Sequence, residues 1–348
     1  MSTQMRRILV AVGDLRHPPM SELRKAAVLA RSSGAGIELF HAIMEADPGR
    51  SYPETATARA VARQRATIAG RCQQRLQQFA RRAGFRGVAT SCTASWDYPP
   101  HEAIVRRAQA IKADLVVAAT QRHRLGGRLI LANTDWELIR QCPVPVLLVK
   151  SPRPYRRPVV IVAVDPLHAH ARPADLDARL IDSGATMAKS LRGTMQVFHA
   201  YMPLWSVEAV PGAPPMIMPP EAEAAHEELV IREVQALAAA AGVPAKSCHV
   251  LMGGVAEELD KAARRTRAGL IVMGAVSRSA LARLFIGNAA ERVLDRVRCD
   301  VLVVKPRGFR PKIARVRAVA VTFASAAGRM PHGRTKPRRA GRAAAPPR

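Results

Sequence analysis

The stretch Leu270–Leu294, LIVMGAVSRSALARLFIGNAAERVL, decides the architecture because the chain contains it twice. Moved back by 155 residues, it lies without a gap on Leu115–Ile139, LVVAATQRHRLGGRLILANTDWELI. Each copy reads as an apolar strand, a polar loop and a helix. The helix opens on a capping box, Asn288-x-x-Glu291 in one copy and Thr134-x-x-Glu137 in the other. Self-similarity over this length marks two copies of one folding unit. The copies differ in the loop: Gly274, Ser277 and Gly287 of the later one stand where the earlier one has Ala119, Arg122 and Ala132. One copy keeps the small residues that a phosphate needs and the other has lost them.

Working outward, Val10-Ala11-Val12 followed by Asp14 resembles Val162-Ala163-Val164-Asp165, and Phe40-His41-Ala42 matches Phe198-His199-Ala200. The first unit's strands are expected over 7–12, 36–42, 87–93, 114–119 and 144–149. Those of the second are expected over 159–164, 194–200, 245–251, 269–273 and 301–304. They are continuous apolar runs such as VVIVAV and VLVV, which suit a parallel sheet covered on both faces by helices. Residues 222–241, rich in Ala, Glu and Leu and stopped by Gly242, read as one such helix. Residues 100–113 and 255–268 occupy equivalent places before the fourth strands. The fold class is therefore α/β, with two doubly wound, Rossmann-like domains in tandem over 1–150 and 158–306. The proline-broken SPRPYRRP at 151–158 joins them. The last strand of each unit, 144–149 and 301–304, is an edge that the two units are expected to share as an internal pseudo-dimer.

At 348 residues the chain is long enough for two cores. No apolar run reaches the roughly 18–20 residues of a membrane span. The N-terminal MSTQMRRILVAV is too short in its apolar part for a secretory signal, so a cytoplasmic protein is expected. Five scattered cysteines without C-x-x-C spacing argue against zinc and disulfides. Of the formal net charge of +27, twelve basic residues fall in 307–348, which contains neither Asp nor Glu. That segment reads as a disordered tail able to hold nucleic acid by counterion release, or as a solvated extension.

In an open parallel sheet, ligands bind beyond the carboxyl ends of the strands, where the strand order reverses. In the second unit Val164 and Asp165 end the first strand, Ala200 the second, and Met273 and Gly274 the fourth. Gly274 lets backbone N–H groups approach an anion, and the helix start at Gly287, Asn288 and Ala289 adds more. Ser277 and Asn288 carry hydrogen-bonding side chains, Arg278 a positive charge, and Asp165 suits a base or ribose. The spacing from Gly274 to Asn288, G-x2-S-x9-G-N, resembles the G-x2-G-x9-G-[ST] nucleotide-binding signature of the universal stress protein superfamily. Ser277 replaces the middle glycine and Asn288 the usual Ser or Thr. The resemblance covers both units and is strongest to the family's E-type tandem proteins. It implies a non-catalytic stress-response protein in which ATP, where bound, lies against Asp165, Ala200, Met273, Gly274, Ser277, Gly287, Asn288 and Ala289. The first unit departs further, and Gln121, Arg122, His123 and Arg124 form a basic lip instead, so ATP is expected in the second unit only.

The remaining candidates read as structural. His41 and His199 follow strand ends at equivalent positions and suit hydrogen bonding better than metal ligation, since no ligand cluster accompanies them. The same holds for the loop pair His168 and His170, and Trp136 is expected to pack against a neighbour. There is no G-x-S-x-G elbow, no phosphate-loop lysine and no paired carboxylate evident from spacing, so no enzyme is expected. Met202, Met216, Ile217 and Met218 in a proline-rich stretch offer a third reading, an apolar ligand's lid.

Overall fold

The computed structural model describes residues 5–17, 19–44, 58–119, 123–125, 128–130, 133–167, 175–203, 219–275, 288–311, 313 and 319–324. In the first half the strands are β1 (Arg7–Ala11), β2 (Gly36–Ile43), β3 (Thr90–Trp96), β4 (Leu115–Ala119) and β7 (Val146–Val149). A two-stranded ribbon, β5 (His123–Leu125) and β6 (Arg128–Ile130), is inserted between the last two. The second half contributes β8 (Val159–Ala163), β9 (Thr194–Tyr201), β10 (Cys248–Met252), β11 (Leu270–Gly274) and β12 (Asp300–Val304). The helices are α1 (Met20–Ser33), α2 (Ala58–Arg82), α3 (Pro100–Ala110), α4 (Asn133–Gln141), α5 (Leu176–Ser190), α6 (Pro220–Ala240), α7 (Val255–Thr266) and α8 (Asn288–Arg296).

Strand order is β3-β2-β1-β4-β7 in the first half and β10-β9-β8-β11-β12 in the second, all parallel within each half. The halves join through β7 and β12, which pair antiparallel with Val146 opposite Val303. Two doubly wound units thus share one continuous sheet, related by a pseudo-two-fold at the β7–β12 seam. One core face packs under α1, α2, α5 and α6 and the other under α3, α4, α7 and α8, each running across both halves. α2 shows how the sequence produces this. Ala69, Cys72, Leu76 and Phe79 recur at three- and four-residue spacing and are all buried, while six of the helix's seven arginines are exposed.

Three expectations change. The third strand begins at Thr90 rather than Gly87, because Gly87 takes a left-handed φ of 78° in a turn closed by Val88 N–H to Phe85 O. Its counterpart begins at Cys248, after a 3-10 turn over Ala245–Ser247 in which Ser247 N–H reaches Pro244 O. Within the expected tail, Val319–Ala324 forms β13, antiparallel to β3 with Thr322 opposite Thr93. VAVTFA is β-branched and apolar, and β3 would otherwise leave a row of backbone groups unpaired at the edge. Residues 325–348 lie outside the described part.

A buried polar cluster ties the seam. Asp300 is fully buried at the start of β12. Its Oδ1 accepts from the N–H groups of Lys150 and Ser151 at 3.0 and 2.9 Å. Its Oδ2 accepts from Lys25 Nζ and Tyr155 OH, both at 2.6 Å. Lys150 Nζ, at the end of β7, donates to the carbonyls of Leu294 and Val297 at the C-terminal end of α8. That places a cation at the negative end of the other half's helix.

Candidate functional site

β8 lies between β9 and β11, so the strand order of the second half reverses between β8 and β11. The carboxyl ends of these three strands bring Val164, Asp165, Ala200, Met273 and Gly274 to one edge of the sheet, all buried. Val164 continues the ladder through its N–H to Phe198 O at 2.9 Å, and its carbonyl accepts from His199 Nδ1 at 2.8 Å. That contact holds the β8 end against the β9 end. The same bond recurs in the first half, His41 Nδ1 to Val12 O at 2.7 Å, so both histidines are structural fasteners, as their placement suggested.

Asp165 follows directly and is 5 % exposed. Its N–H donates to Oδ1 of Asp177, also buried, in the first turn of α5. Two carboxylates therefore flank the strand end, a pairing that spacing alone did not reveal. Gly274 closes β11 opposite Val304, and the carbonyl of Ala275 beyond it accepts from Lys305 Nζ at 2.9 Å. Burial pulls the Lys305 ammonium down to about 8, and Lys150 likewise. Arg179 of α5 donates to the Lys305 carbonyl, which knits α5, β12 and the β11 end together. Among the residues at these strand ends Ala200 and Gly274 are small, and Asp165 carries a carboxylate. Ser277, Arg278 and Gly287 lie outside the described residues. Asn288 is the first residue of α8, and Ala289, next in that helix, is half-buried.

The first half differs at the equivalent place. The histidine bonds align Val12 with Val164, so Gly13, not Asp14, occupies the position of Asp165. Asp14 lies one residue further and is exposed, its carboxylate taken by Arg16 N–H and His17 Nδ1 at 2.6 and 2.8 Å. The hydrogen bond from His17 holds Asp14 below the usual carboxylate range. Of the basic lip, His123 and Arg124 fall on β5, whose partner β6 packs against α8. Gln121 and Arg122 lie outside the described residues, as do His168, His170, Met216, Ile217 and Met218. Met202 is described and exposed. Both expected capping boxes adjoin residues outside the described part; within it Glu137 accepts from Arg140 and Gln141 along α4, and Glu291 accepts from Arg140 across the seam. Trp136 packs into the core face between α4 and its neighbours.

The sequence model of the universal stress protein family matches residues 5–150 and 158–305. The chain belongs to this family. Universal stress protein E of Salmonella typhi is 27 % identical over 311 residues, spanning 88 % of this chain and 96 % of that protein. Its counterpart in Escherichia coli K12 is 28 % identical over 230 residues, 65 % of this chain and 72 % of that one. A functionally unknown protein of Pseudomonas aeruginosa PAO1 shares the fold with a TM-score of 0.65 at 23 % identity, covering 87 % of this chain and 93 % of that one. A universal stress protein of Archaeoglobus fulgidus DSM 4304 does so with a TM-score of 0.60 at 15 % identity, covering 87 % and 99 %. The tandem, E-like organisation implied by the sequence repeat is thus that of known stress proteins. Among the described residues, no group of three or more His, Cys, Asp or Glu is placed to hold a metal ion. None of the described helices is long and apolar enough to cross a membrane.

Proposed function

We propose that this tandem universal stress protein binds one adenine nucleotide, ATP or a relative of it, in its second half and acts in the cytoplasm without catalysing a reaction. The observation that carries the reading is the asymmetry at the two strand-order reversals. The second half presents a buried Asp165 beside Gly274, whereas the first presents Gly13 beside Ala119. Asp165 takes the ribose or base, and the backbone from Gly274 to Asn288 takes the phosphates. Nucleotide occupancy shifts the population of states that a partner protein reads. The contact of Lys305 with Ala275 gives that shift a path from the site into the seam.

The test is titration calorimetry of folded wild-type protein with ATP up to millimolar concentration, beside the Gly274→Val variant. The reading expects saturable binding to the wild type and none to the variant, in which two γ-methyls fill the place of the phosphate. A flat wild-type titration sinks it.

A further inference from the structure

The helices that occupy the same place in the two halves carry opposite charge. α2, between β2 and β3, has seven arginines and neither Asp nor Glu in its 25 residues. α6, between β9 and β10, has five glutamates against one arginine and no lysine. Arg59, Arg63, Arg71, Arg75, Arg81 and Arg82 of α2 are exposed, and among the described residues none of the six is in an ion pair. Arg59/Arg63 and Arg71/Arg75 are like-charge i,i+4 pairs, each costing an isolated helix about 0.2–0.5 kcal/mol. The first turn holds no acid to offset the helix dipole. The packing of α2 on the sheet comes from its buried apolar underside, Ala69, Cys72, Leu76 and Phe79, not from these arginines.

A second observation points the same way. β13 pairs with the outer edge of β3 and packs against α2. Ala324 thus ends a strand that lies beside that helix, and the sequence from 325 to 348, outside the described residues, adds further Arg and Lys with no Asp or Glu.

We propose that α2 is a docking surface for a nucleic-acid duplex, held through its phosphates without reading of sequence. The helix is about 37 Å long. That is close to one turn of B-DNA, about 34–36 Å, along which phosphates follow at about 1.7 Å intervals. Single strands are bound by stacking bases on exposed aromatic rings, and the one aromatic residue of α2, Phe79, is buried. A membrane surface calls for an exposed apolar face, but that of α2 is spent on the sheet. A second copy offers the acidic α6, yet a net charge of +27 drives copies apart. The surface lies on the opposite half from the nucleotide site and stands or falls separately from it.

The experiment is fluorescence anisotropy of a labelled 25-base-pair duplex of arbitrary sequence against full-length protein from 50 to 200 mM salt. Compared are wild type, Arg71→Gln/Arg75→Gln/Arg82→Gln, the matching triple lysine variant, and a chain ending at Ala324. Losing three phosphate contacts lowers the slope of log K against log salt by about 2.7, roughly a 40-fold smaller loss of affinity across that salt range. The lysine triple keeps the slope, which separates charge from folding, and the truncated chain still binds with a reduced slope. An unchanged slope in the glutamine triple overturns the proposal. So does complete loss of binding on truncation, which would place the site in the tail, or retention on phosphatidylserine vesicles but not on duplex.

Discussion

Replacing Asp300 by Asn changes one atom type at the most enclosed polar point of the seam. The carboxylate has four donors around it: two backbone N–H groups on Oδ1, and Lys25 Nζ and Tyr155 OH on Oδ2. A carboxylate accepts on about four lone-pair sites, so it is satisfied as it stands. The amide that replaces it must turn an NH2 toward either the two N–H groups or the ammonium, and donors then face donors. Lys25, 3 % exposed in its side chain, is also left without its counter-charge. Removing one partner of a buried pair costs about 3–5 kcal/mol. Lys25→Met is expected to cost less, since Asp300 retains three donors. The double variant should be more stable than the sum of the two changes by at least about 1 kcal/mol. Urea unfolding followed by circular dichroism reads these differences as shifts in midpoint at constant slope. Glu257→Gln, which breaks the exposed pair with Arg296, serves as a control at under about 1 kcal/mol. A cost below about 1 kcal/mol for Asp300→Asn would refute the view that this cluster holds the halves together.

The buried ionisable groups also predict a stability maximum near pH 9. Lys150 and Lys305 are pulled by burial to about 8 from their ordinary 10.5, so between those values the unfolded chain binds more protons and stability rises with pH. Cys92, Cys142 and Cys299 are pushed by burial to about 12 from 9.0, so above pH 9 the unfolded chain has released protons that the fold retains, and stability falls. At ~1.4 kcal/mol per pH unit and group, two rising lysines win below pH 9 and three thiols win above it. Unfolding free energies from pH 7.5 to 10.5 check this, and a monotonic trend contradicts it. Gly184→Ala, although it favours a helix by up to about 1 kcal/mol, should destabilise by about 1–3 kcal/mol. The added Cβ would lie 2.2 Å from a methyl carbon of Val162 in β8, and a thermal melt no lower than wild type would show that α5 can move away from the sheet.

The duplication was legible because apolar strands and their following helices recur at one offset, and burial on both faces leaves an unmistakable run of Val, Ile and Leu. Strand starts were not, where Gly87 lies within a turn and Pro244 opens one, neither of which hydropathy registers. Asp14 drew the eye as the partner of Asp165 by residue type, but only the two histidine bonds fix the register that gives the place to Gly13. Asp177 and Lys305 were missed because their roles depend on how α5 and β12 pack; the one signal that could have marked the lysines is that VLLVK and VLVVK recur at the repeat's offset. β13 escaped notice inside a segment dominated by arginine, since pairing depends on an open edge elsewhere in the chain.

The central claim is that only the second half takes a nucleotide. Native mass spectrometry of the purified chain in the presence of excess ATP counts ligands directly. The account predicts one nucleotide per chain, lost in Gly274→Val and weakened in Asp165→Ala. Two nucleotides per chain, or one that survives Gly274→Val, would contradict it.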